Sequence, residues 1–304
     1  MKVLEFDNVH RAYRRGVDVL RGVSFSVSAG DVVGLLGRNG AGKTTLMRIA
    51  MGMIEPQAGS VRVFGLDPRK KPLEIKKRIG YVAEDQTLPP FLTVAEVIDL
   101  HRGLFPGWDD ALARDLAGQF ELPAKARVAT LSKGQARQVA LLCAVSHRPE
   151  VLLLDEPAGG LDPVARRQFL ETSIQLLNEA GTTIIFSSHY MGDVERMAGR
   201  IVMLHDGSVM IDNDLDQLRE EFSLALVPRG PKVTRESLLG LDGCLGVREG
   251  SVAMHAVFQL GPDASRAVLE RGLGVDGARC RSVALEEMFI ELVGSRASER
   301  GGQA

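Results

Sequence analysis

The sequence predicts an α/β protein whose core is a parallel sheet, followed by a smaller α+β domain. Three observations carry this. Continuous apolar runs at Val32–Leu36, Val151–Leu154 and Thr183–Ser187 have the character of strands buried on both faces. A helical run, Pro163–Ala180, separates the last two, and strand–helix–strand is the order that builds parallel sheets. The first run feeds a glycine-rich loop and then a helix-forming segment, Thr44–Ala50.

The 304 residues suit two domains at roughly 150 residues each. With 45% hydrophobic and 25% charged residues the chain is globular rather than disordered. Lys and Arg (37) nearly balance Asp and Glu (39), so no strongly basic surface spans the chain and no nucleic-acid partner is expected. No window approaches about 18 consecutive apolar residues, which excludes a self-made membrane span. Acids at Glu5 and Asp7 stand where a signal peptide needs an apolar run, so a cytoplasmic location is expected. Cys143, Cys244 and Cys280 form no CxxC pair, arguing against zinc and for buried thiols in a reducing compartment.

The remaining elements follow in order. Val3–Phe6 and Val23–Val27 alternate at period two and read as paired strands before the turn Gly30-Asp31. Residues 88–148 read mostly as helix, broken at Pro106–Asp109 and Pro123. Ile201–Leu204 and Gly207–Met210 read as a closing hairpin. The first domain is placed at 1–220. A second, at 221–294, alternates short strands (Leu224–Val227, Ser251–Phe258) with short helices (Arg235–Gly240, Ala264–Arg271). Its last helix, Ala284–Val293, sets Leu285, Met288, Phe289 and Leu292 on one face. The tail from Ser295, residues 295–304, is small and charged and is expected to be disordered.

Gly37-Arg38-Asn39-Gly40-Ala41-Gly42-Lys43-Thr44 fits G-x-x-x-x-G-K-[ST]. Glycines let backbone N–H groups turn inward around phosphate oxygens, and the following helix offers its positive end. Lys43 can reach the β- and γ-phosphates and Thr44 can ligate Mg²⁺. Asp155-Glu156 ends the second apolar run; Asp155 is suited to hold Mg²⁺ and Glu156 to accept a proton from an attacking water. His189 ends the third run and is placed to hydrogen-bond the γ-phosphate and that water. All three groups fall at carboxyl ends of strands, where open α/β sheets bind ligands.

Between loop and acidic pair lies Leu131-Ser132-Lys133-Gly134-Gln135. Together with the motifs above, it makes residues 1–215 resemble the nucleotide-binding subunit of ATP-binding cassette (ABC) transporters, whose signature is Leu-Ser-Gly-Gly-Gln. The resemblance implies the phosphate-loop ATPase fold of that family, with a mixed sheet core and a helical subdomain at about 88–148. It implies an ATPase using ATP and Mg²⁺, and two cassettes, identical or paralogous, sandwiching nucleotide head to tail. Tyr13 looks like the aromatic that stacks on adenine, and Gly37–Thr45 like the phosphate cradle. Ser132, Lys133, Gly134 and Gln135 look like the segment reaching the opposite subunit's γ-phosphate. Ser132-x-x-Gln135 is also a capping box for the next helix. Gly160-Leu161-Asp162 resembles the loop joining the two cassettes, and His189 the switch histidine. The Mg²⁺-sensing glutamine position is Glu84 by counting, or Gln86 if the loop is shifted.

Arg38 and Lys133 depart from the family pattern, which favours proline and glycine there. Ser282–Phe289 resembles the closing helix of the accessory domain on bacterial export-type cassettes. The implied function is to drive transport, in the export direction, through a separate membrane-spanning permease, with the chain peripheral on the cytoplasmic face. A soluble single-cassette ATPase acting in assembly is the alternative.

Overall fold

The computed structural model describes residues 1–14, 16–85, 88–161, 166–167, 169–170 and 181–291. The chain divides into two compact units, Met1–Asp212 and Asn213–Ala304.

The first unit holds two sheets. One is built from β1 (Lys2–Arg14), β2 (Val17–Ser28) and β4 (Ala58–Val63), antiparallel in the order β2-β1-β4. The other comprises β3 (Val32–Leu36), β5 (Ile79–Val82), β6 (Val151–Leu154), β7 (Thr183–Ser188), β8 (Arg200–His205) and β9 (Ser208–Asp214). These six lie in the order β5-β6-β7-β3-β8-β9, and the first five run parallel. Being flanked on both sides, β6 and β7 are buried along their whole length, as their unbroken apolar runs require.

Register sets the site. Leu36 pairs with Ser188, and Leu154 with Phe186, so the chain leaves β3, β6 and β7 along one edge. The helix Lys43–Ala50 packs beside the sheets: Leu46, Met47 and Ile49 share one buried cluster with Phe6 and Val23 of the antiparallel sheet and Leu35, Leu153 and Ile185 of the parallel one. Burying each such side chain contributes about 1.5–3 kcal/mol.

Three helices interrupt the sheet between β5 and β6: Val94–Leu104, Asp110–Gln119 and Lys133–Val145. Each begins at a side-chain cap. Thr93 and Glu96 form a capping box, the Asp109 carboxylate accepts from the Ala111 and Leu112 N–H groups, and Ser132 and Gln135 form a second box. The break expected at Pro106–Asp109 is present, and Asp109 ends it by starting the next helix. Hairpin β8–β9 turns over Asp206 and Gly207, both at positive φ (48° and 78°), the geometry of a type I′ turn.

The second unit closes on itself as strand–helix–strand–strand–helix–strand. Its strands β10 (Ser223–Pro228), β11 (Cys244–Glu249), β12 (Ala253–Phe258) and β13 (Arg279–Ser282) lie in the order β11-β12-β10-β13, and each neighbouring pair is antiparallel. This is the ferredoxin-like arrangement. Helices Arg235–Leu239 and Pro262–Leu273 connect the strands, and Leu238 and Leu269 join Val227, Val247, Ala256 and Phe258 in its core. Residues 285–291 are helical, with Leu285 and Met288 buried.

Several expectations change. β1 and β2 are far longer than the alternating cores Val3–Phe6 and Val23–Val27, because ladder pairing persists through the polar stretch His10–Arg14. Strands β4, β5, β11 and β13 carry too little local alternation to be read. Of the helix expected over Pro163–Ala180, residues 166–167 and 169–170 are described and helical. The rest of that helix, Leu292 and the tail lie outside the described residues. Cys143 is buried, its thiol pushed up to about 12 by burial, while Cys244 and Cys280 are half-buried. No helix among the described residues is long and apolar enough to cross a membrane.

Candidate active site

The loop after β3 is built for close approach. A Cβ on Gly37 would stand 2.7 Å from the Leu204 carbonyl oxygen. Gly42, at φ +103°, caps the helix Lys43–Ala50 with no side chain, and a Cβ there would meet Leu20 Cδ2 at 2.5 Å. The helix therefore opens with backbone N–H groups that no side-chain cap takes and no acid in its first turn. Lys43 folds back over the loop, its Nζ donating to the Gly37 carbonyl at 2.7 Å.

Across from it, Asp155 and Glu156 leave β6. One hydroxyl organises both: Ser187 Oγ accepts the Glu156 N–H at 2.8 Å and donates to Asp155 Oδ1 at 2.7 Å. Asp155 is 1% exposed, and its Oδ2 is buried with no hydrogen-bond donor among the described residues. A buried, unpartnered carboxylate oxygen beside a phosphate loop is a fitting ligand for a hard divalent cation. Glu156 sits at φ +47°, a left-handed conformation rare for a side-chain-bearing residue, of the kind that collects at functional sites. Its Oε1 lies 3.3 Å from Lys43 Nζ, and its Oε2 2.8 Å from His189 Nδ1. Facing a carboxylate, Nδ1 carries the proton.

The cleft of about 380 Å³ above the loop is lined by Tyr13, Asn39, Lys43, Thr44, Glu84 and Glu156, among others. Tyr13 stands at its rim, half exposed, with its hydroxyl 3.3 Å from Thr45 Oγ1 and the Arg11 guanidinium over its ring. The Glu84 carboxyl is pushed above the usual carboxylate range, first by burial and then by the negative charges of Asp155 and Glu156. Glu84 lines the same cleft as Glu156. Gln86, the other position considered for this role, lies outside the described residues.

Ser132 caps the helix Lys133–Val145 through the reciprocal box with Gln135 (3.2 and 3.0 Å). Ser132 and Lys133 are exposed, and Gly134 packs with Leu161 3.6 Å from where its Cβ would be. Asp162 lies outside the described residues. Two groups escaped the sequence reading. Ser187 is the hydroxyl joining the acidic pair. Arg137, on the helix that Ser132 caps, donates to the Glu156 carbonyl at 2.6 Å and the Glu84 carbonyl at 3.3 Å. Only the spacing of Arg137 from the Ser132 segment could have drawn attention to it.

This edge defines a nucleoside-triphosphate site of the phosphate-loop class. Residues 20–159 match the family model described as ABC transporter. The chain is 35% identical over 207 residues to the ABC transporter ATP-binding protein YtrB of Bacillus subtilis, covering 68% of this chain and 70% of that one. It is 37% identical over 210 residues to the Nod factor export ATP-binding protein I of Paraburkholderia xenovorans, covering 67% and 68%. Its fold matches a dimeric, post-hydrolysis structure of the ATP-binding cassette MJ0796 bound to ADP and Pi, with a TM-score of 0.63 and 26% identity over 70% of this chain and 98% of the other. The chain belongs to the ATP-binding subunits of ABC transporters: it is a cassette ATPase.

Proposed function

We propose that this cassette hydrolyses ATP at the cleft between Lys43 and Glu156 and drives a separate permease in the export direction. Tyr13 stacks on the adenine, and the amides of Gly37–Thr45 with Lys43 hold the β- and γ-phosphates. Thr44 and Asp155, with Glu84, would hold Mg²⁺, which would supply charge neutralisation for the phosphates. Glu156 takes the proton of the attacking water while His189, tied to its carboxylate, orients the ring toward the γ-phosphate. Ser132 and Gly134 complete the partner cassette's site in a head-to-tail dimer, identical or paralogous, and Asp162 belongs to the loop between the two. The permease anchors the cassette to the cytoplasmic face of the membrane. Export is supported by the Nod factor export relative. The second unit, 221–294 by the sequence boundary, is assigned to packing and dimer support.

The observation that carries the reading is the buried Glu156 carboxylate held between Lys43 and His189 at the sheet's carboxyl edge. Glu156→Gln should bind ATP yet lose turnover by about 100-fold or more, the range for a general base. Wild-type turnover in that variant removes Glu156 from the role. Co-purification of the tagged chain with a multi-span membrane protein from detergent-solubilised membranes tests the permease.

A further inference from the structure

His189 is held to Glu156 by one hydrogen bond from Nδ1, and its side chain is 39% exposed. One such bond leaves the ring free to swing, because torsion about an sp³–sp² bond is broad. The structure supplies the missing restraint from the other side. The Tyr190 ring packs on the His189 ring at 4.3 Å with planes tilted by 43°. Tyr190 is in turn covered by the Arg166 guanidinium, 3.6 Å from its ring centroid. Arg166 forks onto Asp193, with Nε at 3.0 and 3.1 Å from the two carboxylate oxygens and a further contact from its terminal nitrogen. The loop backbone is pinned as well: Ser188 Oγ accepts the Tyr190 N–H at 3.0 Å.

Tyr190 is half exposed, and an exposed aromatic flanked by two cation-capable groups is not explained by core packing. Arginine suits this place because its flat guanidinium can stack on a ring while its edge grips a carboxylate in two places. The outer face of His189 is thereby set by a frame of Tyr190, Arg166 and Asp193.

We propose that Arg166 and Tyr190 are positioning residues for hydrolysis, a stacked clamp that fixes the plane of His189 and so the hydrogen bond it makes to Glu156. The inference rests on the roles given above to Glu156 and His189. It concerns turnover, because the clamp meets the site through the His189 ring and its bond to Glu156.

The test is steady-state ATP hydrolysis by the full chain, with trinitrophenyl-ATP binding measured beside it. Arg166→Ala and Tyr190→Ala should each lower kcat by about tenfold, within the range of small misplacements of reacting groups. KM and the binding of the analogue should stay unchanged. Arg166→Lys, which keeps the cation but not the fork, should recover part of the loss. Tyr190→Phe, which keeps the ring, should recover most of it. In a His189→Ala background Arg166→Ala should cost nothing more, since the clamp acts through that ring. Wild-type kcat in Arg166→Ala and Tyr190→Ala, equal losses in both backgrounds, or lost analogue binding would each overturn the proposal. Wild-type turnover in His189→Ala or Glu156→Gln would instead overturn the reading beneath it.

Discussion

Lys43 Nζ and Glu156 Oε1 lie 3.3 Å apart, and each side chain is only 6% exposed. The cation and the carboxylate thus hold each other. Removing one partner of a buried pair leaves the other charge without compensation, at about 3–5 kcal/mol. Lys43→Ala should therefore destabilise the protein in urea unfolding as well as abolish nucleotide affinity. Adding Glu156→Gln should return much of the stability and none of the affinity. If the stability losses of the two single variants simply add, the pair carries no coupling.

Ser132 caps its helix, and substitution can separate this from the role proposed for it in the dimer. Ser132→Ala removes the cap of the helix Lys133–Val145 and should cost about 0.5–2 kcal/mol. Ser132→Asp keeps a good cap, so urea unfolding should match the wild type. It also sets a negative charge where the partner's γ-phosphate is to be received, so ATP-dependent dimerisation, read by size-exclusion chromatography, should fail. Normal ATP-dependent dimerisation of Ser132→Asp would leave Ser132 as a cap alone.

Glu291 ties residues 285–291 to the sheet of the second unit, accepting from Arg248 at 2.6 and 2.7 Å and from His255 Nδ1 at 2.9 Å. Burial works to raise its carboxyl, and the hydrogen bonds and charges of Arg248 and His255 outweigh this, leaving it below the usual value of 4.5. A lowered folded value means the contribution is full above about pH 4.5 and fades as pH falls through the lowered value. Acid should therefore loosen this tie as the pH falls below about 4.5. Glu291→Gln should cost about 1–3 kcal/mol at neutral pH, the scale of charged hydrogen bonds, and flatten the acid limb. Urea midpoints between pH 3 and 7 decide it: an equally steep acid limb in the variant would locate the titrating group elsewhere.

The parts of this fold legible in sequence are those written locally. β3, β6 and β7 announce themselves as unbroken apolar runs, and the loop Gly37–Thr44 by spacing. That their ends share an edge follows from parallel pairing, and the register of Leu36 with Ser188 shows it. What stayed hidden depends on partners distant in the chain. β11 and β13 are strands because β12 and β10 lie beside them, so no alternation marks them. Ser187 looks like one more strand residue until Asp155, 32 positions earlier, is laid next to it. The left-handed backbone of Glu156 leaves no mark in the sequence at all, because nothing but the fold obliges a glutamate to adopt it.

Tyr13 rides on the antiparallel sheet and the phosphate loop on the parallel one. On the roles proposed above, base and phosphates would thus be met by groups carried on two different sheets. A ring face takes any base, since every base offers a π-face of its own, whereas the loop after β3 measures phosphates. On the roles proposed for them, a change of base would therefore be met at one sheet and a change of phosphate number at the other.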